Sequence, residues 1–305
     1  MSGKIIITGA DGFIGSHLLD YFINKGLDAI GVLRSKTIDS KDNLITNNEV
    51  GLKNIINYYK PDVIINCAGK ANVGFSREHP EVDYEANYLF PRNLLEDVRI
   101  NCPRCRVILF SSAAVYGNPQ SLPIKENAVA APISPYALHK TIMEETAFYY
   151  NRVYNIDVVI LRVFSAYGRG LKKQLLWDMI SKSLTNSEIL LSGTGNESRD
   201  FIHIDDIVRA VYLILFRSQS KDIVYNVANG KQITISEVSD IFSSCFYEIT
   251  KRDLRVCFDG SIRRGDPSNW CADILRLKKV GYSQKVDFAE GVRDYIKWTK
   301  EEGII

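Results

Sequence analysis

Near the start of the chain three glycines recur at every third position, in Thr8-Gly9-Ala10-Asp11-Gly12-Phe13-Ile14-Gly15. The run before them, Lys4-Ile5-Ile6-Ile7, is apolar and β-branched, as in a strand buried on both faces. Behind them Ile14, Leu18, Leu19 and Phe22 fall on one face of a helix. The segment predicts strand, glycine turn, helix. Gly9 allows a sharp turn, Gly12 removes the side chain where a pyrophosphate would approach, and Gly15 lets the helix pack closely on the strand. Phosphates would sit at the helix N-terminus, where free N–H groups and the helix dipole favour an anion. The spacing is G-x-x-G-x-x-G rather than G-x-G-x-x-G, so on this segment alone a tight βα turn without a ligand stays open.

The remaining sequence decides what surrounds that turn. With 305 residues the chain can build one large core or two modest domains. Its 38 basic and 36 acidic residues leave a net charge of +2, with no basic stripe, so a nucleic-acid partner is not expected. No apolar run approaches the ~20 residues of a membrane span. Met1 leads almost directly into the first strand, so neither a signal peptide nor a membrane association is expected. Cys102 and Cys105 form a lone C-x-x-C without a second pair or nearby histidines, so no metal site is expected. Free thiols and a reduced, cytoplasmic setting follow.

Strand-like runs at Lys4–Thr8, Ala29–Leu33, Val63–Cys67, Val107–Ser111 and Val158–Leu161 alternate with helical periodicity at about 14–25, 49–59, 82–100 and 136–152. That alternation predicts an α/β fold with a doubly wound parallel sheet. The second strand ends in Leu33-Arg34-Ser35-Lys36. An acid there would bind the ribose hydroxyls of NAD, whereas an arginine accommodates the 2′-phosphate of NADP. Arg34 is read as that arginine; a solvated loop charge is the other reading. Residues 35–47 are polar and show no clear third strand, which leaves the adenine pocket unplaced. Ala68 and Gly69 end the next strand in small residues, suited either to a dinucleotide lying close or to tight packing. Asn87 is a poor residue for the middle of a helix and is expected to bond to a neighbour.

Ser111 and Ser112 stand at the carboxyl end of a buried strand, the edge at which open α/β sheets bind ligands. Further on, Ser134 is a good N-cap and Pro135 a good first helical residue. Tyr136 and Lys140 are then i and i+4 on one helix face. An ammonium beside a phenol is expected to lower the tyrosine pKa and make it an acid/base near neutrality.

In this order and at these distances, the glycine turn, the serine-bearing strand end and the capped Y-x-x-x-K resemble the extended short-chain dehydrogenase/reductases. Within them the chain is similar to the nucleotide-sugar epimerase/dehydratase/reductase group. Leu161-Arg162-Val163-Phe164-Ser165-Ala166-Tyr167-Gly168 resembles that group's L-R-x-x-N-x-Y-G. Gly193-Thr194-Gly195, Ser198 to Asp206 and Arg263-Arg264-Gly265-Asp266 resemble its substrate-domain segments. The resemblance implies a Rossmann-type dinucleotide-binding domain over residues 1–165 and about 204–230. A smaller mixed α/β domain for the nucleotide sugar takes 166–203 and 231–305. It implies dinucleotide contacts from Gly9, Asp11, Gly12, Phe13, Ile14, Arg34, Ala68, Gly69, Asn87, Tyr136 and Lys140. Ser112, by its distance from Val115-Tyr116-Gly117, would bond the sugar oxygen in place of Ser111. Tyr136 would transfer the proton, and Lys140 would bind the nicotinamide ribose. Arg199 and Arg263 would hold the substrate diphosphate, and a homodimer would form through the helices at about 82–100 and 136–152.

Two departures stand out. The group's asparagine is Ser165 here, and Arg169 replaces a proline at the head of a basic stretch that reads as a phosphate contact or a solvated turn. His203 and Trp177 are read as packing residues. Related 4,6-dehydratases carry Asp-Glu after the serine, and a related 3,5-epimerase carries a cysteine there. This chain has Ala113 and Ala114, which exchange no proton. Plain hydride transfer at a sugar carbonyl remains. With Arg34 it reads as an NADPH-dependent reduction of a nucleotide-linked 4-keto-6-deoxy sugar, in activated-sugar or surface-polysaccharide (O-antigen) synthesis. An NAD-dependent UDP-hexose 4-epimerase is the alternative, with a non-catalytic dinucleotide sensor behind it.

Overall fold

The computed structural model describes residues 3–34, 44–46, 51–218, 222–261 and 267–305. The chain begins with β1 (Ile5–Thr8), α1 (Phe13–Asn24), β2 (Ala29–Leu33) and a short β3 (Leu44–Thr46). It continues through α2 (Leu52–Tyr59), β4 (Val63–Asn66), α3 (Val73–Glu78) and α4 (Pro80–Tyr84), which passes through a π-helical turn (Glu85–Leu89) into α5 (Phe90–Asn101). Next come β5 (Arg106–Ser112), a 3₁₀ turn (Ala113–Tyr116), α6 (Pro135–Tyr154), β6 (Val158–Val163) and β7 (Ser165–Tyr167). Then follow α7 (Gln174–Ser183), β8 (Glu188–Leu191), β9 (Ser198–Arg199), β10 (Phe201–His203), α8 (Ile204–Arg217) and β11 (Val224–Val227). The chain closes with β12 (Ile233–Thr234), α9 (Ile235–Thr250), β13 (Arg255–Phe258), α10 (Leu275–Lys279) and α11 (Phe288–Glu301).

Two compact units form. The first comprises Met1–Gly117, Val129–Val163 and Tyr212–Tyr225; the second comprises Asn118–Ala128, Phe164–Val211 and Asn226–Ile305. Among the described residues the main sheet is seven-stranded, in the order β11-β6-β5-β4-β1-β2-β3. Each pair from β6 to β3 is parallel. This is the α/β, Rossmann-type, doubly wound sheet that the alternating pattern predicts. The order reverses between β1 and β4, where the carboxyl ends of neighbouring strands diverge and ligands bind. Thr8 lies opposite Asn66 at that edge, and its hydroxyl donates to the Asn66 side-chain oxygen at 2.6 Å.

β3 corrects the sequence reading of 35–47, which shows no clear third strand. Leu44–Thr46 pairs with Gly31–Leu33 at the sheet edge. Three residues are too few for an alternating pattern to register, so the pairing rests on backbone bonds to β2. Residues 35–43 and 47–50 lie outside the described residues.

The first unit's core forms because α2, α5 and α6 each turn one apolar stripe to the sheet. Ile55 and Ile56, then Leu94, Leu95 and Val98, then Met143 and Ala147, pack with Ile64, Val107 and Ile160. Burying each of these leucine, isoleucine, valine and methionine side chains stabilises the fold by about 1.5–3 kcal/mol. The second unit builds its core from Phe242 and Phe246 of α9 with Val292, Tyr295 and Ile296 of α11. Trp177 packs at its margin, and His203 is buried 5.2 Å from the Tyr167 ring. Among the described residues all six cysteines are free, and no helix is long and apolar enough to cross a membrane.

One charged pair crosses the first core. Arg162 on β6 reaches Glu144 on α6 with Nη2 to Oε2 at 2.6 Å, both side chains buried. Ser111 donates to Glu144 Oε1 at 2.5 Å, and Arg162 Nη1 donates to the Tyr116 hydroxyl at 2.9 Å. Breaking such a buried pair typically costs about 3–5 kcal/mol, because the remaining charge stays desolvated. Glu144→Ala should therefore lower unfolding stability by about that much in denaturant melts. A loss under about 1 kcal/mol would show that Arg162 is not held by this pair.

Candidate functional site

The glycine turn builds the first wall. Gly9 has φ +65, and a Cβ there would lie 2.7 Å from the Ala68 backbone nitrogen. A Cβ on Gly15 would come within 2.1 Å of the Gly9 carbonyl oxygen, so α1 sits against the turn only because that residue is glycine. α1 starts after Gly12 with no side-chain cap and no acidic residue in its first turn. Its leading N–H groups and positive dipole end are thus left to an anion, which fits a dinucleotide pyrophosphate. Asp11 is exposed beside it, with Phe13 and Ile14 half-buried. Arg34 is exposed at the end of β2.

The end of β4 gives the second wall. A Cβ on Gly69 would lie 2.8 Å from Asn87 Oδ1 and 3.6 Å from Lys140 Nζ. Asn87 sits in the π-helical turn, fully buried. Its amide accepts from the Lys70 N–H at 3.2 Å and donates to the Lys70 carbonyl at 2.9 Å and to Asp83 at 2.9 Å. The poor mid-helix residue thus finds its partners in the loop after β4, beside Gly69. Helical periodicity runs unbroken through 82–100 and does not reveal the π-helical interruption.

The third wall is α6. Ser134 accepts from the Ala137 N–H at 3.2 Å, and Pro135 opens the helix. The Tyr136 N–H donates to the Ser76 hydroxyl at 3.2 Å. One turn on, Lys140 Nζ donates to the Phe110 carbonyl at 2.8 Å, inside the protein. The Tyr136 phenol bonds to Ser112, whose hydroxyl also accepts from the Ala114 N–H at 3.1 Å. Ser111 points the other way, into the Glu144–Arg162 pair. The structure therefore brings Ser112, Tyr136 and Lys140 together at the carboxyl edge of the sheet.

Their electrostatics correct one expectation. Burial pushes the Tyr136 phenol up to about 12; the Ser112 bond opposes this and the Asp83 carboxylate adds to it. The expected lowering by Lys140 is not what governs the phenol, because desolvation of a phenolate outweighs it. Lys140 is itself lowered to about 8 by burial, against the pull of Asp83, Glu144 and Cys67. The sequence does not single out Asp83, His139, Glu144 or Arg162 as site residues. Glu144 stands one helical turn past Lys140, which was a usable signal; the Asp83–His139 contact joins residues 56 apart in sequence.

The remaining residues belong to the second unit. Ser165 opens β7, and its N–H donates to the Asp200 carbonyl at 3.0 Å. Arg199 in β9 donates from Nη1 to the Ser198 and Ser268 carbonyls at 2.8 and 3.2 Å, with its guanidinium 5.5 Å from the Trp270 ring centre. Arg263 and its neighbours 262–266 lie outside the described residues. Arg169 is exposed and pairs with Glu301 at 3.1 Å. Among the described residues no group of three or more histidine, cysteine or acidic side chains is placed to hold a metal ion.

Comparison with known proteins places this geometry. The family model described as "NAD dependent epimerase/dehydratase family" matches residues 5–228. A protein of Methanocaldococcus jannaschii named "Putative UDP-glucose 4-epimerase" is 32% identical, covering 97% of this chain and 98% of that protein. The "UDP-glucuronate 4-epimerase" of Thermodesulfobacterium geofontis is 27% identical, covering 98% of this chain and 97% of its own. The solved structure "MoeE5 in complex with UDP-glucuronic acid and NAD" superposes with a TM-score of 0.86 at 27% identity, covering 98% of this chain and 100% of that one. With a glycine turn, a serine-ended strand and a Y-x-x-x-K helix in that sheet, the chain belongs to the NAD dependent epimerase/dehydratase family.

Proposed function

We propose that this chain is an NAD-dependent 4-epimerase of a UDP-linked hexose or hexuronate. The observation that carries the reading is the Ser112–Tyr136–Lys140 group, with Tyr136 and Lys140 buried, in a chain whose end-to-end relatives are named as UDP-sugar 4-epimerases. The expectation of an NADPH-dependent 4-ketoreductase gives way here, since the superposed relative holds NAD. Arg34 was its main support, and its exposed place after β2 suits a solvated loop charge equally well.

Bound NAD would supply the acceptor, and then the donor, of the C4 hydride. The chain's own groups do the rest. The α1 N-terminus with Gly9, Asp11, Gly12, Phe13 and Ile14 binds the pyrophosphate. Ala68 and Gly69 leave room for the dinucleotide, with Asn87 holding their loop. Lys140 bonds the nicotinamide ribose. Ser112 bonds the sugar C4 oxygen, while Tyr136, acting as its phenolate, takes the C4 hydroxyl proton to become the phenol and returns it once the 4-keto sugar has turned its other face. Arg199 and Arg263 pair with the diphosphate, a match for an arginine fork. Ser165 makes a shorter sugar contact than asparagine would. Ala113 and Ala114 add no acid or base, which limits the reaction to C4.

An epimerase retains its cofactor through both hydride transfers. The purified protein should therefore release NAD on denaturation, and should convert a UDP-hexose or UDP-hexuronate to its 4-epimer with no net NADPH use. Oxidation of NADPH by a 4-keto-6-deoxy nucleotide sugar, without any 4-epimer formed, would return the reductase reading. Tyr136→Phe should cut kcat by ~10²–10⁴-fold while NAD stays bound; retention of most of kcat would assign the proton transfer elsewhere.

A homodimer through α4–α5 and α6 is part of the same proposal. Val82, Leu89, Leu138, Tyr149 and Val153 expose apolar surface on these helices, as the faces of a four-helix bundle would. Leu138→Asp should shift the sedimenting species from dimer to monomer. A wild-type monomer at micromolar concentration would exclude the dimer.

A further inference from the structure

The helix turn that carries Tyr136 and Lys140 is tied to a second polar group that the proposed chemistry leaves unused. Asp83, at the end of α4, is fully buried and splits its carboxylate between two elements. Its Oδ1 accepts from Asn87 Nδ2 at 2.9 Å, and Asn87 in turn grips both backbone groups of Lys70. Its Oδ2 lies 2.7 Å from His139 Nδ1, which as the donor to a carboxylate carries the proton there. His139 immediately precedes Lys140, and its ring is held edge-on by Tyr84 at 5.3 Å.

The groups facing Lys140 from each packed element can be compared. Glu144, on α6, spends its charge on Arg162 at 2.6 Å. Cys67, after β4, is half-buried, and desolvation raises its thiol far above the usual range, so it remains neutral. Ser76, on α3, and Ser112, on β5, carry no charge. Asp83 is therefore the one anion in this set without an arginine partner. Its field raises both Lys140 and Tyr136, opposing the effect of burial on the lysine.

We propose that Asp83 is a positioning residue: it ties the Gly69–Lys70 loop to the Tyr136–Lys140 turn and supplies the buried anion that keeps the Lys140 ammonium charged. The inference rests on the proposed roles of Lys140 and Tyr136. A buried lysine needs this help, because an uncharged amine would no longer serve as a cation toward a ribose. The bond through His139 also fixes the rotation of α6 at the point where Tyr136 meets Ser112.

The test is NAD affinity as a function of pH, by fluorescence titration of the full chain, stripped of any NAD it carries and refolded, from about pH 6 to about pH 10. In the wild type, NAD binding requires the protonated Lys140, so affinity should fall as pH rises through about 8. Asp83→Asn preserves the size and removes the charge; its amide oxygen still accepts from Asn87, and its amide N–H donates to His139 Nδ1, which then takes the acceptor tautomer. In the folded variant, affinity should fall at a pH about one pH unit lower. An unmoved midpoint in the folded variant overturns the proposal. If Asp83→Asn melts below the assay temperature, His139 decides the matter. His139→Ala should lower kcat roughly tenfold or more at constant KM, and His139→Asn, whose amide still donates to Asp83, should recover most of it. Equal kcat in wild type and His139→Ala would overturn the positioning role. A wild type that binds NAD but forms no 4-epimer would refute the proposed function and leave the binding test of Asp83 intact.

Discussion

Everything at the candidate site depends on one helix that turns charged and polar side chains inward. α6 buries Tyr136, His139, Lys140 and Glu144, spread over little more than two turns. A protein interior charges heavily for such groups unless each is paired. Each one here is: Glu144 with Arg162, His139 with Asp83, Lys140 with the Phe110 carbonyl, Tyr136 with Ser112. These partners come from β6, α4 and β5, so the helix can sit in one register only, with Tyr136 beside Ser112. The stability of the first unit and the geometry of the site are thus the same set of bonds.

The glycine turn obeys a complementary rule. Where α6 needs partners, α1 needs bareness. A Cβ on Gly15 would strike the Gly9 carbonyl, and an acidic side chain or cap at the helix start would compete with an anion for the N–H groups. Close approach of helix and turn therefore leaves a positive end facing the carboxyl edge of the sheet. The β1–β4 divergence opens the sheet at that same edge.

Adjacent serines illustrate how strand geometry divides labour. Ser111 and Ser112 point to opposite faces of β5. One hydroxyl closes the Arg162–Glu144 pair in the core, and its neighbour meets Tyr136. The single-residue offset separates a structural group from a group at the candidate site. It also explains why Arg162, inside the L-R segment, serves the core.

Local pattern determined much of this protein. The β-branched runs, the glycine spacing and the Ser134-Pro135 start are short-range signals, and they define the parallel sheet, the βα turn and the helix that carries Tyr136 and Lys140. Motif distances define the family. Tertiary structure decided the rest, because it depends on contacts between distant segments. β3 needed the edge of β2 for its pairing. The π-helical turn at Asn87 exists to reach Lys70, which helical periodicity does not encode. The Asp83–His139 contact joins two helices far apart in sequence. Above all, the pKa of Tyr136 followed burial rather than the neighbouring ammonium, since spacing along a helix reports which groups are adjacent and says nothing of how much water the fold removes from them.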